Sequence, residues 1–283
     1  MPITRIYLVS LIATTCLLFI FLLLNTTFDG SIWDGMQISK SALTVEYCEL
    51  NRTQDLFHQS MNTYSNLVYF FLGCIVLQTA LLDRKHKQAD TANPLQQFPI
   101  LSSLFGCCLV YLCFGSAFFH ASLTWVGQRV DMNATYSLCI TLLAISLYRL
   151  FHRHFISEKL KGIYIAAIIL IIVIFVQVHL IIPSIILLPL LIISVITTTI
   201  INVSKNKNAY PLTMALLSFL LMGGAIILRT LDVQKIGCDP TSIYQGHSLW
   251  HIFTGMSGFL LYWFYRSELS TVIPNKMRNL ETN

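Results

Sequence analysis

The chain has 283 residues, of which 55% are hydrophobic and only 11% are charged, and its mean hydropathy is +0.68. Soluble domains carry about 25% charged residues, so this composition excludes a soluble enzyme, a coiled coil and a disordered chain. The net charge of +5 is small and dispersed, which excludes nucleic acid as a partner. Eight cysteines in a chain of this length do not indicate a disulfide scaffold. The class that remains is a polytopic membrane protein.

Eight apolar segments are long enough to cross a bilayer as helices, which takes about 20 residues. Their ranges are 5–24, 62–82, 100–121, 131–150, 162–181, 184–202, 209–228 and 246–266. These segments do not alternate in polarity, which favours helices over a barrel. The first is long for a signal peptide and is followed by no small-residue cleavage site, which favours a retained anchor. The predicted fold class is therefore all-α, a polytopic transmembrane helix bundle.

Basic residues are unevenly distributed between the two sides of this predicted bundle. The loops on the side of the two termini hold 13 of the 18 Lys and Arg residues, and the other loops hold five. The positive-inside rule therefore predicts that both termini are cytoplasmic. The opposite, outer face holds eight of the 13 acidic residues and is predicted to be lumenal, periplasmic or extracellular.

Ionisable side chains inside a membrane are costly, and they are functional candidates by default. Four of them lie at or near the ends of predicted helices, namely His120, Asp131, His247 and His251. Because successive helices alternate in direction, all four are predicted to lie at the same depth on the outer face. A chance distribution would scatter them over both faces.

The spacing of these residues indicates a metal site. His247 and His251 are four residues apart, so both imidazoles project from one face of a helix. With His120 they provide three histidines, which together with one water form a common catalytic zinc site. Zinc lowers the pKa of its bound water to about 7. Ser116, one turn before His120, is a candidate oxyanion donor, and Asp131 is a candidate proton carrier.

Each of these residues also has a structural interpretation. A single His at a membrane interface is commonly a hydrogen-bonded structural residue, and Ser often packs between membrane helices. The coincidence of three His, one Ser and one Asp on one face favours the metal site. A transporter is expected to have broken helices near mid-membrane, whereas the polar groups of this chain cluster at one end, which argues against a transporter. A non-enzymatic receptor or a channel remains an alternative.

The order and spacing of these residues resemble the alkaline ceramidase family, part of the CREST superfamily of seven-helix membrane hydrolases and receptors. The stretches that carry the resemblance are Glu46–Asn51, Asn62–Asn66, Ser116–Thr124, Gly127–Asp131 and His247–Gly255. The resemblance covers roughly residues 46–266. It implies a seven-helix core, to which segment 5–24 adds one extra N-terminal helix.

The resemblance implies an amidase that cleaves the N-acyl amide of ceramide to a sphingoid base and a fatty acid. His120, His247 and His251 would bind Zn²⁺, and Ser116 and Asp131 would assist hydrolysis. The implied partner is a ceramide-like membrane lipid. Another lipid hydrolase of the same superfamily, which would cleave a different ester or amide, remains an alternative.

The resemblance also implies a Ca²⁺ site in the loop before the core. The matching positions are Glu46, Tyr47 through its carbonyl, Glu49 and Asn51. This chain departs from the family pattern twice, because Glu46 replaces the usual Asp and Gln59 stands where a further Glu is expected. Loss of a carboxylate weakens a site for this oxygen-seeking ion. The alternative interpretation of residues 29–55 is a solvated acidic loop.

Two cysteines, Cys48 and Cys238, lie in predicted outer loops, where the compartment permits oxidation. We expect a disulfide between them, and the resemblance points to the same pair. The predicted organisation is an N-terminal anchor helix at 1–28, an acidic outer-face cap loop at 29–61, the seven-helix hydrolase core at 62–266 and a cytoplasmic tail at 267–283.

Overall fold

The structure is a computed structural model that describes residues 3–85, 93–155, 157–205 and 212–267. Within these ranges the chain is helical and contains no strand. The helices are α1 (Ile3–Thr27), α2 (Lys40–Leu43), α3 (Ser60–Ser65), α4 (Leu67–Lys85), α5 (Pro99–Ser122), α6 (Trp125–Phe151), α7 (Glu158–Ile181), α8 (Ser184–Lys205), α9 (Leu212–Val233) and α10 (Gly246–Arg266). The predicted tail, 267–283, lies outside the described residues except for Ser267.

Seven helical segments of the described chain are long and apolar enough to cross a membrane. They correspond to α1, to α3 and α4 taken together, and to α5, α6, α7, α8 and α9. The eighth predicted span, 246–266, is α10, which has the same bounds. Its two histidines and its small polar residues make its most apolar stretch less apolar than those of the other seven. The prediction of an all-α polytopic bundle is confirmed.

The start of α6 differs from the prediction. The helix begins at Trp125, six residues before the predicted start at residue 131. Leu123 adopts a left-handed conformation with φ 51°, which ends α5. The Thr124 hydroxyl then accepts a hydrogen bond from the Gly127 backbone N–H at 3.1 Å and caps the new helix. Asp131 therefore lies in the second turn of α6 rather than at its first residue.

The helices divide into a core and a periphery. Helices α4, α5, α6 and α10 pack together, and α9 pairs with α10, while α1 contacts α4 and α7 contacts α6. A Cβ on Gly73 of α4 would lie 3.1 Å from the Gly106 carbonyl of α5, so the absence of side chains allows a close approach. On α1, Ser10 accepts a hydrogen bond from the Gln78 amide of α4 at 2.8 Å.

The predicted cap loop ends at residue 59, because α3 begins at Ser60. This loop, residues 29–59, is attached to the ends of α5 and α6 by backbone hydrogen bonds. The N–H of Gln59 donates to the carbonyl of His120 at 3.0 Å, and the N–H of Ser39 donates to that of Leu123 at 3.0 Å. Gly30 lies so close to Thr53 that an added Cβ would overlap the Thr53 carbonyl. The last turn of α5, the first turns of α6 and α10 and this cap loop together form one end of the bundle, here called the site end.

The opposite end of the bundle is closed by different contacts. Arg266, the last residue of α10, forms a salt bridge with Asp83 of α4 at 2.6 Å. The Asn93 amide donates to the carbonyl of Tyr265 at 2.7 Å. These contacts hold the last turn of α10 against the core at the end of the bundle opposite the site end.

Candidate metal centre

Three buried histidines meet at the site end. His120 lies in the last turn of α5, and His247 and His251 lie in the first two turns of α10. One ring nitrogen of each lies within 4.8 Å of those of the other two. The Nε2 atoms of His120 and His247 are 3.1 Å apart. Among the described residues, this is the group of three or more His, Cys, Asp or Glu side chains that can hold a metal ion.

Two of the histidines are oriented by a hydrogen bond to their other ring nitrogen. The Nδ1 of His120 lies 2.8 Å from the amide oxygen of Gln59. Because that oxygen only accepts, Nδ1 carries the proton and Nε2 presents its lone pair to the cluster. The Nδ1 of His251 lies 2.7 Å from the Ser65 hydroxyl of α3. Partners of this kind fix the ring orientation of metal ligands in proteins.

The third histidine is held by its backbone and by a ring contact. The ring of His247 stacks on the ring of Tyr47, with 3.8 Å between the centroids. Its backbone N–H donates to Oδ2 of Asp232 at 3.0 Å, and the other oxygen of Asp232 accepts from the N–H of Cys48 at 2.9 Å. The buried Asp232 carboxylate therefore accepts a hydrogen bond from a backbone N–H in the first turn of α10, which has no partner within the helix. The same carboxylate connects α10 to the cap loop.

The close approach of α9 to α10 depends on Gly246. A Cβ at this position would lie 2.9 Å from the Leu228 carbonyl and 2.9 Å from the Cβ of Asp232. Glycine is therefore the residue that lets Asp232 reach the first N–H groups of α10. Gly246 therefore sets the position of His247 through helix packing.

Ser116 and Asp131 come together beside the histidines. Ser116 is buried one turn before His120 on α5, and its side chain interacts with the Asp131 carboxyl on α6. Gly115 brings the two helices close at this level, since a Cβ there would lie 3.2 Å from a methyl group of Val130. A hydroxyl and a carboxyl are therefore available on the α5–α6 side of the histidine cluster.

Two of the expected calcium ligands are paired with basic residues of the α9–α10 region. The carboxylate of Glu46 accepts from the Arg229 guanidinium at 3.2 Å. The carbonyl of Tyr47 accepts a hydrogen bond from the ammonium of Lys235. The positive charge beside these two oxygens is thus supplied by the side chains of Arg229 and Lys235.

The other two expected ligands are also hydrogen-bonded within the protein. Both oxygens of the buried Glu49 carboxylate accept backbone N–H groups, from Met61 at 2.7 Å and from Asn62 at 2.8 Å. Burial raises the pKa of Glu49, and these two hydrogen bonds act in the opposite direction. The Asn51 side-chain oxygen accepts from the Gln59 amide at 2.6 Å. The residues present therefore do not fit a calcium ion.

Cys48 and Cys238 form a disulfide in the structure, across 190 residues of sequence. It joins the cap loop to the connection between α9 and α10. Because Cys48 follows Tyr47, the covalent bond lies directly beside the ring that stacks on His247. The cap loop is consequently attached both to the end of α5 and to the connection between α9 and α10.

Sequence reasoning missed three residues that support the site. Asp232 was interpreted only as one of the outer-face acids, Gln59 only as a departure from a family pattern, and Ser65 only as part of a matching stretch. A glycine directly before a His-x3-His pair, together with an acid at the end of the preceding helix, is the sequence signal that could have identified Asp232. Neither Gln59 nor Ser65 has a comparable local signal.

The geometry agrees with a comparison of the whole chain with known families. Among curated proteins, no sequence matches this chain. Residues 39–277 match the family model described as ceramidase. The match covers most of the chain and includes all three histidines, Ser116 and Asp131. It indicates an amidase-type hydrolase of the membrane with a ceramide lipid as substrate. The chain belongs to the ceramidase family.

Proposed function

We propose that this chain is a zinc-dependent intramembrane amidase that cleaves ceramide to a sphingoid base and a fatty acid. The observation that carries the proposal is the buried group of His120, His247 and His251 in a chain of the ceramidase family. Three histidine ligands leave a fourth position open, as in catalytic zinc sites. Among the described residues, no thiolate and no fourth histidine joins this group, which argues against a closed structural site.

The residues around the histidines supply the remaining chemistry. When bound, zinc acts as a Lewis acid and makes a water nucleophilic at neutral pH. Hydrolysis joins the water oxygen to the amide carbon and breaks the carbon–nitrogen bond. The Ser116 hydroxyl is positioned to donate to the oxyanion that develops on the carbonyl. The Asp131 carboxyl takes up a proton from the water and transfers it to the leaving nitrogen, which departs as an amine.

The location of the site suits a lipid whose amide lies near the membrane surface. The histidines lie at helix ends, where a headgroup linkage is found while the acyl chains stay in the bilayer. An apolar pocket between α6, α8, α9 and α10 is lined by Ser257, Gly258 and Leu261, among others. These residues lie roughly 9–15 Å beyond His251 along α10, at 1.5 Å per residue. This pocket is a suitable place for an acyl chain.

We further propose that both termini are cytoplasmic and that the site end faces a lumenal or periplasmic compartment. The described basic residues at the opposite end are Arg5, Arg84, Lys85, Arg149, Arg153, Lys159, Lys161, Lys205 and Arg266. The site end carries fewer, namely Lys40, Arg52, Arg129, Arg229 and Lys235. This asymmetry and the disulfide at the site end support the same orientation.

A reporter fused after Asn283 tests the orientation. We expect the fusion to be active with a reporter that functions in the cytoplasm and inactive with one that needs an oxidising compartment. The opposite pattern would contradict the proposed topology.

Metal analysis and fatty acid release from ceramide test the function. Wild-type protein should contain close to one zinc per chain. His251→Ala should lose both zinc and hydrolysis. Ser116→Ala should retain zinc and lose about 10²- to 10³-fold in rate, the usual cost of one oxyanion donor. The matched control is His154→Ala, which removes an exposed histidine at the opposite end and should change neither value.

Two outcomes would contradict the proposal in different ways. A His251→Ala protein with normal zinc content and normal hydrolysis would exclude the metal site. A wild-type protein that binds zinc but releases no fatty acid from any ceramide would retain the metal site and transfer the activity to another lipid amide or ester.

A further inference from the structure

We propose that the Lys235 ammonium stands in for a calcium ion beneath the cap loop, so that Lys235 and Gln59 position the histidine cluster without calcium. The inference rests on the proposed function, because it concerns the same three histidines. It starts from the misfit described above, in which every expected calcium ligand already accepts a hydrogen bond from the protein.

Lys235 is placed for this role by the turn that ends α9. Its φ of 60° is left-handed, and its backbone N–H donates to the Asp232 carbonyl at 3.0 Å. A non-glycine residue in this conformation is uncommon. The turn directs the lysine side chain towards the cap loop, where the ammonium donates to the Tyr47 carbonyl. A calcium ligand in this family position would be that same carbonyl oxygen.

The charges around this point are balanced without a divalent ion. Lys235 interacts electrostatically with Asp232 and Glu46. Arg229 lies 3.2 Å from the carboxylate of Glu46, and Arg52 lies 3.7 Å from that of Glu49. Three cations therefore face three carboxylates. A calcium ion added beside the ammonium would meet like-charge repulsion and would have to displace existing hydrogen bonds.

The Gln59 amide completes the same arrangement on the side of the histidines. Its nitrogen donates to Asn51 at 2.6 Å, while its oxygen accepts from the Nδ1 of His120 at 2.8 Å. A carboxylate at this position has no hydrogen to donate to Asn51, and two facing acceptors would instead attract a cation. The amide thus connects the cap loop directly to a metal ligand.

The lysine reaches a second ligand through Tyr47. The backbone carbonyl of Tyr47 accepts a hydrogen bond from the Lys235 ammonium. The ring of Tyr47 stacks on the ring of His247, with 3.8 Å between the centroids. The next residue, Cys48, donates its N–H to the carboxylate that also receives the N–H of His247. Removal of the lysine charge is therefore expected to loosen the position of His247 as well as the loop.

The experiment compares calcium binding in four purified proteins after passage over a chelating resin, with zinc content measured afterwards. They are the wild type, the double variant Lys235→Ala/Gln59→Glu, the charge-retaining variant Lys235→Arg/Gln59→Glu, and Lys40→Ala. Lys40 is an exposed lysine of the same loop and is the matched control for loss of one charge. The probes are the melting temperature with and without calcium, and terbium luminescence sensitised by Tyr47.

We expect calcium to bind only to the Lys235→Ala/Gln59→Glu protein. At about 1 mM calcium, roughly tenfold above the dissociation constant of about 10⁻⁴ M at the tighter end of the range for weak extracellular sites, its melting temperature should rise by about 3 °C. Its ceramide hydrolysis should be reduced and should recover on addition of calcium. The wild type, Lys40→Ala and Lys235→Arg/Gln59→Glu should show no shift and no terbium signal.

A calcium-dependent shift in the wild type that Glu49→Gln abolishes would overturn the inference. A folded, zinc-containing Lys235→Ala/Gln59→Glu protein that ignores calcium would overturn it equally. If that variant does not fold, the wild-type measurement still decides. Calcium binding is read without turnover, so a wild type that lacks zinc or ceramidase activity would contradict the proposed function alone.

Discussion

The helices that carry the histidine cluster and the helices around them bury very different shares of their surface. In the most apolar stretch of α5 and of α6, 61% of the residues are buried, whereas in α7 the share is 6%. In α1, α8 and α9 it is 17%. The outer helices expose large aliphatic side chains, such as Ile174 of α7. Both groups are apolar by sequence, but the first includes His120 of the histidine cluster among its buried side chains.

In this bundle, the most apolar helices are therefore not the helices that carry the histidine cluster. Hydropathy identifies the helices that contact lipid most strongly, because lipid-facing positions need apolar side chains. The helix with two of the three candidate ligands, α10, is the one long helix of the described chain that is not among the seven apolar enough to cross a membrane. His247 and His251 are among the polar side chains that reduce its hydropathy.

The strongest expected effect on the core side of this comparison comes from Asp131. The change Asp131→Asn removes the proposed proton carrier but leaves the three histidines intact. Loss of a general acid–base group typically costs about 10²- to 10⁴-fold in rate. We expect such a decrease in fatty acid release with unchanged zinc content, measured on the same preparation. Loss of zinc together with activity would instead identify Asp131 as a ligand.

A smaller loss is expected from a change at Ser65, because Ser65 contacts the candidate metal ligand His251 rather than the substrate. The change Ser65→Ala removes the hydrogen-bond partner of His251 Nδ1. Loss of such a partner typically weakens metal affinity about 10- to 100-fold. A titration with a competing zinc chelator measures the change. Ser103→Ala is the control, because Ser103 bonds only to the Pro99 carbonyl of its own helix and should leave zinc affinity unaltered.

The smallest effect is expected at the periphery. Ile174→Ala truncates a side chain on α7 that is 48% exposed, and it should change ceramide hydrolysis by less than about twofold, as exposed sites usually do. The same change at Ile145 of α6, which is 1% exposed, should cost about 2–5 kcal/mol of stability. Thermal unfolding and hydrolysis of the two variants measure the contrast directly. Equal destabilisation by both would remove the distinction between core and periphery.

Much of the fold follows from the sequence because a bilayer imposes the length and apolarity of each span. The predicted range 246–266 has the bounds of α10, and 100–121 lies within one residue of α5 at each end. The predicted start of α6 was wrong because two residues, the capping Thr124 and the left-handed Leu123, determine locally where the helix begins. Apolar periodicity does not report such caps.

The candidate site was predictable only in part, for a related reason. The spacing of His247 and His251 and the alternating direction of helices suffice to bring them towards His120. The supporting residues Gln59 and Asp232 required the path of the cap loop, which has no periodicity and is fixed by many separate hydrogen bonds. The roles of Ser116 and Asp131 and the identity of the metal stay predictions.

The path of the cap loop also has a consequence for biosynthesis. Its residues emerge from the ribosome before the core helices, but Asp232, Lys235, Cys238 and His247, which hold it, are all synthesised near the end. A nascent chain that has reached only α8 contains one of the three candidate ligands, and its cap loop can be attached only to the ends of α5 and α6. The group of three histidines is therefore assembled last, and a chain terminated before α10 contains only His120 of the three.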